Sequence, residues 1–223
     1  MSYIRVRGLK GNMNKQNVDY GVYLVTDEEM LNGITLKSAV EEAILGGATI
    51  IQLREKNCSS RDFYNRALEI REITLKYNVP LIINDRVDIA MAIDADGVHL
   101  GQQDLPVSIA RKILGNNKII GASAQNVDLA LKAQNDGADY LGVGAVFKTN
   151  TKKDALQGVG LEMIKSISEK IKIPFVGIGG IDHSNAKSVI ESGANGVAIV
   201  SCILKQNNIR KATEDLRKLV SIK

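Results

Sequence analysis

From Tyr20 to the C-terminus the sequence alternates, eight times over, between a short β-branched apolar run and a stretch with apolar residues at helical spacing. The runs are 21–26 (GVYLVT), 49–54 (TIIQLR), 80–84 (PLIIN), 96–100 (DGVHL), 118–122 (KIIGA), 139–144 (DYLGVG), 174–179 (PFVGIG) and 196–200 (GVAIV). Leu36, Ala39, Val40, Ala43 and Ile44 form the stripe after the first run, and Leu161, Ile164, Ile167 and Ile171 the stripe after the sixth. Four runs are announced by a similar phrase: Gly47-Ala48-Thr49, Ala95-Asp96-Gly97, Gly137-Ala138-Asp139 and Gly193-Ala194-Asn195. The small residues stop a helix and turn the chain directly into a strand. Strands apolar on both faces and joined by helices call for a parallel sheet covered on its outside. Eight such units in about 200 residues predict an α/β fold, a single (β/α)8 TIM barrel near the small end of its size range. An open doubly wound sheet is the alternative, but Val25-Thr26-Asp27-Glu28 stands where its glycine-rich fingerprint would follow the first strand.

No Pro- or Ser-rich linker divides the chain, so residues 19–223 are read as one catalytic barrel domain behind an arm at 1–18. That arm holds Arg5, Arg7, Lys10 and Lys15 and no acid, which accounts for the whole net charge of +4. The barrel is therefore neutral, which argues against a nucleic-acid-binding body. A hydrophobic share of 44% supports a packed core and excludes general disorder, while no apolar run approaches the ~20 residues of a spanning helix. Cys58 and Cys202 offer neither a disulfide framework nor metal-ligand spacing, so a reducing, cytoplasmic compartment is expected. Small barrels can pair through helix faces, but no sequence feature marks an interface for a homo-oligomer.

A barrel's chemistry is built at the C-terminal ends of its strands, and here those ends turn polar. The second strand ends Gln52-Leu53-Arg54-Glu55-Lys56, and alternation sends Gln52, Arg54 and Lys56 to one side and Leu53 and Glu55 to the other. The third ends Asn84-Asp85, and Asp104 follows the fourth. Asp85 and Asp104 either cap the helices that follow or, as two carboxylates on adjacent loops, hold a hard cation such as Mg2+. The fifth strand ends at Ser123. The long connection 145–159 carries Thr149, Asn150, Thr151 and Lys152, which suits either a lid over an anion or a solvated loop. The seventh and eighth strands end Gly179-Gly180 and Val200-Ser201, where barrels commonly seat a phosphate on bare backbone N–H groups. Arg54, Lys56, Lys152 and one Mg2+ sum to +5, and Asp85 with Asp104 subtract 2. The remaining +3 would balance a pyrophosphate, while the Gly180 and Ser201 corner offers neutral donors to a phosphate monoester.

These motifs resemble the thiamine-phosphate synthase family over residues 20–220, through Gln52 to Lys56, Asn84-Asp85, Gly97-Val98-His99-Leu100-Gly101-Gln102 with Asp104, Gly142 to Lys152, and Gly177-Ile178-Gly179-Gly180-Ile181. The resemblance implies a transferase of thiamine biosynthesis. It would condense 4-amino-5-hydroxymethyl-2-methylpyrimidine pyrophosphate with 4-methyl-5-(2-phosphoethyl)thiazole by a dissociative, Mg-assisted mechanism. It further implies that Gln52, Leu53, Arg54, Glu55, Lys56, Asn84, Ser123 and Lys152 contact the pyrimidine pyrophosphate. Arg54, Lys56 and Lys152 would be catalytic, Asp85 and Asp104 would hold Mg2+, and Thr149, Asn150 and Thr151 with Gly180, Val200 and Ser201 would hold the thiazole phosphate.

The chain departs from the family in two places. Gly144-Ala145-Val146-Phe147-Lys148-Thr149 lacks both prolines of the family's loop, which predicts a looser lid, and Gln125 stands where Ala-His often follows the serine. A histidine near that point matters in the related thiazole tautomerases, so its absence argues against an isomerase of the thiazole phosphate. A non-catalytic phosphate-ligand regulatory barrel is the other alternative, and it would be marked by damaged cation or metal positions. His99 is read as a hydrogen-bonded structural residue, His183 as exposed, and both cysteines as packing residues. Tyr23, Thr26 and Asp27 receive no role beyond their place at the mouth.

Overall fold

The computed structural model describes residues 15–149 and 158–221. Eight parallel strands close into a ring in sequence order: β1 Val22–Val25, β2 Ile50–Leu53, β3 Leu81–Asn84, β4 Gly97–Leu100, β5 Ile119–Ala124, β6 Tyr140–Gly144, β7 Phe175–Ile178 and β8 Gly196–Ile199. Closure is made by β8 pairing with β1, with Ala198 opposite Tyr23. All eight predicted runs are strands of this (β/α)8 barrel. Helices α1 Leu36–Leu45, α2 Ser60–Tyr77, α3 Val87–Ala92, α4 Val107–Leu114, α5 Val127–Asn135, α6 Gly160–Ser168 and α7 Ala186–Glu191 follow the first seven strands. After β8 come a four-residue α8, Ser201–Leu204, and the longer α9, Ile209–Val220.

Local chemistry sets the helix ends. Thr35, Ser59, Asn126 and Asn208 each accept a backbone N–H from the first turn of α1, α2, α5 and α9, and Asn78 ends α2 in the left-handed region at φ 54°. The apolar stripes then bury residues such as Val40, Phe63, Ile70, Ile164 and Leu216 against the outward side chains of the strands. A second, smaller apolar cluster fills the lumen: Tyr20, Tyr23, Val25, Ile50, Ile82, Ile119, Tyr140, Val176 and Ala198. The ring is therefore a packed core rather than a pore.

Glycines make the room for two of the lumen's polar side chains, Tyr140 and His99. A Cβ at Gly121 would sit 2.1 Å from Tyr140 Cζ, and one at Gly142 would sit 3.0 Å from His99 Cε1.

The four repeated phrases stand before β2, β4, β6 and β8, and the polar residue of each is a clamp on the strand before it. Thr49 Oγ1, Asp96 Oδ2, Asp139 Oδ2 and Asn195 Oδ1 accept the backbone N–H of Val22, Leu81, Ile120 and Phe175 at 3.2, 2.8, 2.8 and 3.0 Å. The backbone N–H of each clamp residue returns a bond to the carbonyl of that same partner. Arg71 and Arg111 neutralise the two aspartates from α2 and α4. An abandoned buried N–H costs about 1–3 kcal/mol, whereas an exposed, solvent-screened ion pair such as Lys76 with Glu41 contributes little. The clamps thus outweigh the surface pairs. Asp96→Ala is expected to cost about 3 kcal/mol in urea unfolding, because it strands the Leu81 N–H and the Arg71 charge together. Glu41→Ala should cost clearly less, because solvent screens its ion pair; equal losses would contradict the clamp.

Candidate active site at the C-terminal mouth of the barrel

Alternation along β2 sorts the residues that follow it. Gln52 enters the lumen, where its Nε2 donates to Tyr23 Oη at 2.7 Å, and Leu53 packs into the outer core. The Arg54 backbone N–H donates to Thr26 Oγ1 at 3.0 Å, and its guanidinium lies 3.5 Å from Asp27 Oδ2. Lys56 forms an ion pair with Asp85. Glu55 turns to the opposite side and meets Arg66 of α2 at 2.7 Å, an arginine that Glu28 also holds at 2.8 Å. Burial pushes the Glu55 carboxyl up despite that arginine, and its Oε1 is buried without a partner.

The end of β3 is a sharp corner. Asn84 is buried beside His99 in the strand register, and Asp85 adopts φ 64°, its N–H donating to His99 O at 2.8 Å. This left-handed residue swings the chain into α3 and leaves the Asp85 carboxyl at the mouth. After β4 the chain folds back on itself, so that Asp104 Oδ2 accepts the Gly101 N–H at 2.6 Å. Neither aspartate caps a helix: the residues before α3 and α4 are Arg86 and Pro106, and neither makes a side-chain cap bond.

The two carboxyls instead influence each other's protonation. Burial pushes Asp104 up, and the Asp85 charge pushes the same way. Burial also acts on Asp85, but its hydrogen bonds to Asp104 and Lys56 outweigh it and hold it low. Two carboxyls on adjacent loops at the mouth are an oxygen donor set suited to a hard cation such as Mg2+. Among the described residues no group of three or more His, Cys, Asp or Glu is arranged to hold a metal, so water and substrate oxygens would complete the coordination.

Ser123 closes the far side. Its Oγ lies 3.0 Å from His99 Nε2, His99 Nδ1 lies 2.9 Å from Tyr140 Oη, and Tyr140 Oη lies 2.7 Å from Tyr23 Oη. Gln102 Nε2 donates to the Ser123 carbonyl at 2.6 Å. A hydrogen-bonded chain thus crosses the lumen from Gln52 to Ser123, and His99 has the bonded place its sequence context suggests. Burial pushes both phenols, Tyr23 and Tyr140, well above the usual range.

At the other corner Gly179 and Gly180 take φ 95° and 67°. The loop after β6 presses on them: Val146 N donates to Ile178 O and Phe147 N to Gly179 O, and a Cβ at Gly180 would meet Lys148 O at 2.7 Å. The start of the predicted lid is thereby tied to β7, with half-buried Thr149 next in the chain. Asn150, Thr151 and Lys152 lie outside the described residues. Val200 and Ser201 sit at the β8 end, where Ile203 N and Leu204 N share the Val200 carbonyl.

His183, read from the sequence as exposed, is half-buried. It lies 2.9 Å from Ala212 O through Nε2 and 3.3 Å from Cys202 Sγ through Nδ1, because α9 folds back over the turn that precedes α7. A cleft of about 660 Å³ beside α9 is lined by His183, Gln206, Asn208 and Lys211 among others. Convergent chemistry, rather than volume, selects the mouth instead. Thr26 and Asp27, unassigned in the sequence, brace Arg54. Tyr23 belongs to the lumen chain, for which its alternation with Val25 was the available signal.

The family model described as thiamine monophosphate synthase matches residues 22–203. A thiamine-phosphate synthase of Clostridium novyi is 56% identical over 91% of this chain and 100% of its own length. One of Clostridium tetani is 54% identical over 92% and 97%. The solved structure of a thiamine phosphate pyrophosphorylase from Pyrococcus furiosus superposes with TM-score 0.85 at 43% identity, covering 92% of this chain and 96% of that one.

If the carboxyl pair is a cation site, millimolar Mg2+ should raise the melting temperature of the substrate-free protein by about 2–4 °C. Asp104→Asn should lose most of that rise; an undiminished rise in the variant would remove Asp104 from the site.

Proposed function

Because the chain belongs to the thiamine monophosphate synthase family, we propose that its mouth joins the pyrimidinylmethyl group of 4-amino-5-hydroxymethyl-2-methylpyrimidine pyrophosphate to the nitrogen of 4-methyl-5-(2-phosphoethyl)thiazole. The products are thiamine phosphate and pyrophosphate. The observation that carries this reading is the convergence of Arg54, Lys56, Asp85 and Asp104 from three successive strand ends.

The bond from the methylene carbon to the pyrophosphate oxygen breaks first, leaving a carbocation stabilised by the aminopyrimidine, and the thiazole nitrogen then donates its pair to that carbon. Arg54, Lys56 and Lys152 neutralise charge as it collects on the departing oxygens. Asp27 and Thr26 hold Arg54 at its station. Asp85 and Asp104 would hold Mg2+, which when bound supplies further positive charge to the leaving group. Gln52, Asn84 and Ser123 line the pyrimidine side. Leu53 and Glu55 act on the substrate through the strand they anchor rather than by reaching into the mouth. Thr149, Asn150, Thr151, Gly180, Val200 and Ser201 hold the thiazole phosphate. Departure of the leaving group is the hard step, so neither an activated nucleophile nor a Schiff-base lysine is needed. Both cysteines, Cys58 and Cys202, are free thiols, which suits a reducing cytoplasm.

An assay of both substrates with Mg2+ should yield thiamine phosphate, and EDTA or Asp104→Ala should abolish it. Undiminished product without metal would overturn the cation's role, and no product from folded, metal-loaded protein would favour a regulatory barrel. Arg54→Ala should lower kcat by about 10²–10³-fold, equivalent to about 2.7–4 kcal/mol, while thiazole phosphate affinity by calorimetry stays within about twofold. Loss of both together would contradict the division of the mouth into two anion seats.

A further inference from the structure

Tyr23, Tyr140 and His99 connect Gln52 on one side of the mouth to Ser123 on the other, and the His99 carbonyl also accepts the Asp85 N–H. Hydrogen-bond chains of this kind have a direction, because each hydroxyl owns one proton and a neutral imidazole owns one between two nitrogens. The Gln52 amide sets that direction. Its Nε2 can only donate, and it donates to Tyr23 Oη at 2.7 Å. The Tyr23 proton then goes to Tyr140 and the Tyr140 proton to His99 Nδ1, so the imidazole proton lies on Nε2 and is given to Ser123 Oγ. The Ser123 proton is left for the mouth. If the two phenols pointed the other way, the proton of fully buried Tyr23 would be left with no acceptor along this chain. Turning the amide over would reverse every bond and leave Ser123 only a lone pair to offer.

We propose that Tyr23, Tyr140 and His99 are positioning residues, a directional relay that couples the amide orientation of Gln52 to the polarity of the Ser123 hydroxyl, which is presented as a donor to an acceptor atom of the pyrimidine substrate. The inference rests on the proposed function only for the identity of that substrate. The relay itself is a property of the ligand-free protein. It also explains why two phenols, usually poor lumen fillers without partners, occupy the barrel.

The test is nitrogen NMR of protein labelled with 15N-histidine, on the alkaline side of the usual imidazole range. There are two histidines, and His183→Gln assigns them. His99 is expected with a bare Nδ1 and a protonated Nε2. Gln52→Glu places a carboxylate that only accepts next to Tyr23, and Gln52→Met, similar in length and apolar, removes the anchor should the first variant fail to fold. Either change should move the His99 proton to Nδ1 in a large fraction of molecules, by way of Tyr23 and Tyr140. Adding Tyr140→Phe should abolish that response. A His99 tautomer indifferent to both changes, or already Nδ1–H in the parent, would overturn the relay. In turnover, Tyr140→Phe should lower kcat roughly 10- to 100-fold with the KM for thiazole phosphate within about twofold. An indifferent tautomer in a protein that makes thiamine phosphate sinks the relay alone. A responsive tautomer in a protein that makes none sinks the reaction and leaves the relay standing.

Discussion

Once β8 pairs with β1, every inward side chain of eight strands must share one closed lumen. No strand edge is left to relieve a misfit, so what one strand projects its neighbours must accommodate. Tyr23, Tyr140 and His99 project inward, with Gly121 yielding the space for Tyr140 and Gly142 that for His99. The hydroxyls so buried have no water, and each must find a partner within the ring. They find one another, Gln52 and His99, and the chain of bonds surfaces at Ser123. The same closure splays the strand ends into a ring of corners, where Asp85 can adopt its left-handed turn and still hydrogen-bond to β4 through its backbone.

Charge is sorted by the same geometry. The period of two along β2 sends Arg54 and Lys56 toward the mouth and Glu55 outward to Arg66, so acid is removed from the face that must bind an anion. Asp85 and Asp104, on adjacent loops at the mouth, shift each other's protonation, and such a carboxyl pair suits a positive charge. A site of fixed cations around a leaving group needs no covalent chemistry from the protein. Each well-placed donor removes on the order of 3 kcal/mol of barrier because it is already oriented before charge develops.

The strands, their order and the facing of Gln52 to Lys56 were legible in the sequence because all three depend on local periodicity. The repeated small-residue phrases were legible as strand starts, but not as clamps, since the donating N–H of Leu81 or Phe175 lies 15 or 20 residues upstream on a neighbouring strand. Asp85 and Asp104 could be read either as caps or as a pair, because spacing along the chain does not reveal that the loops after β3 and β4 bend toward each other. Tyr23 was visible only as an aromatic in an apolar run; its partner Tyr140 is 117 residues away. His183 was misjudged for the same reason: α9, which buries it, comes later in the chain and packs back.

The account comes down to a mouth with two unlike anion seats, one cationic and metal-assisted, one built from backbone. A crystal structure of the protein with Mg2+, pyrophosphate and thiamine phosphate tests it directly. The account requires the diphosphate to touch Arg54 and Lys56 with the metal between it and Asp85 and Asp104, and the phosphate ester to lie at Gly180 and Ser201. A diphosphate bound away from Arg54 and Lys56, or the two aspartates turned apart, would contradict it.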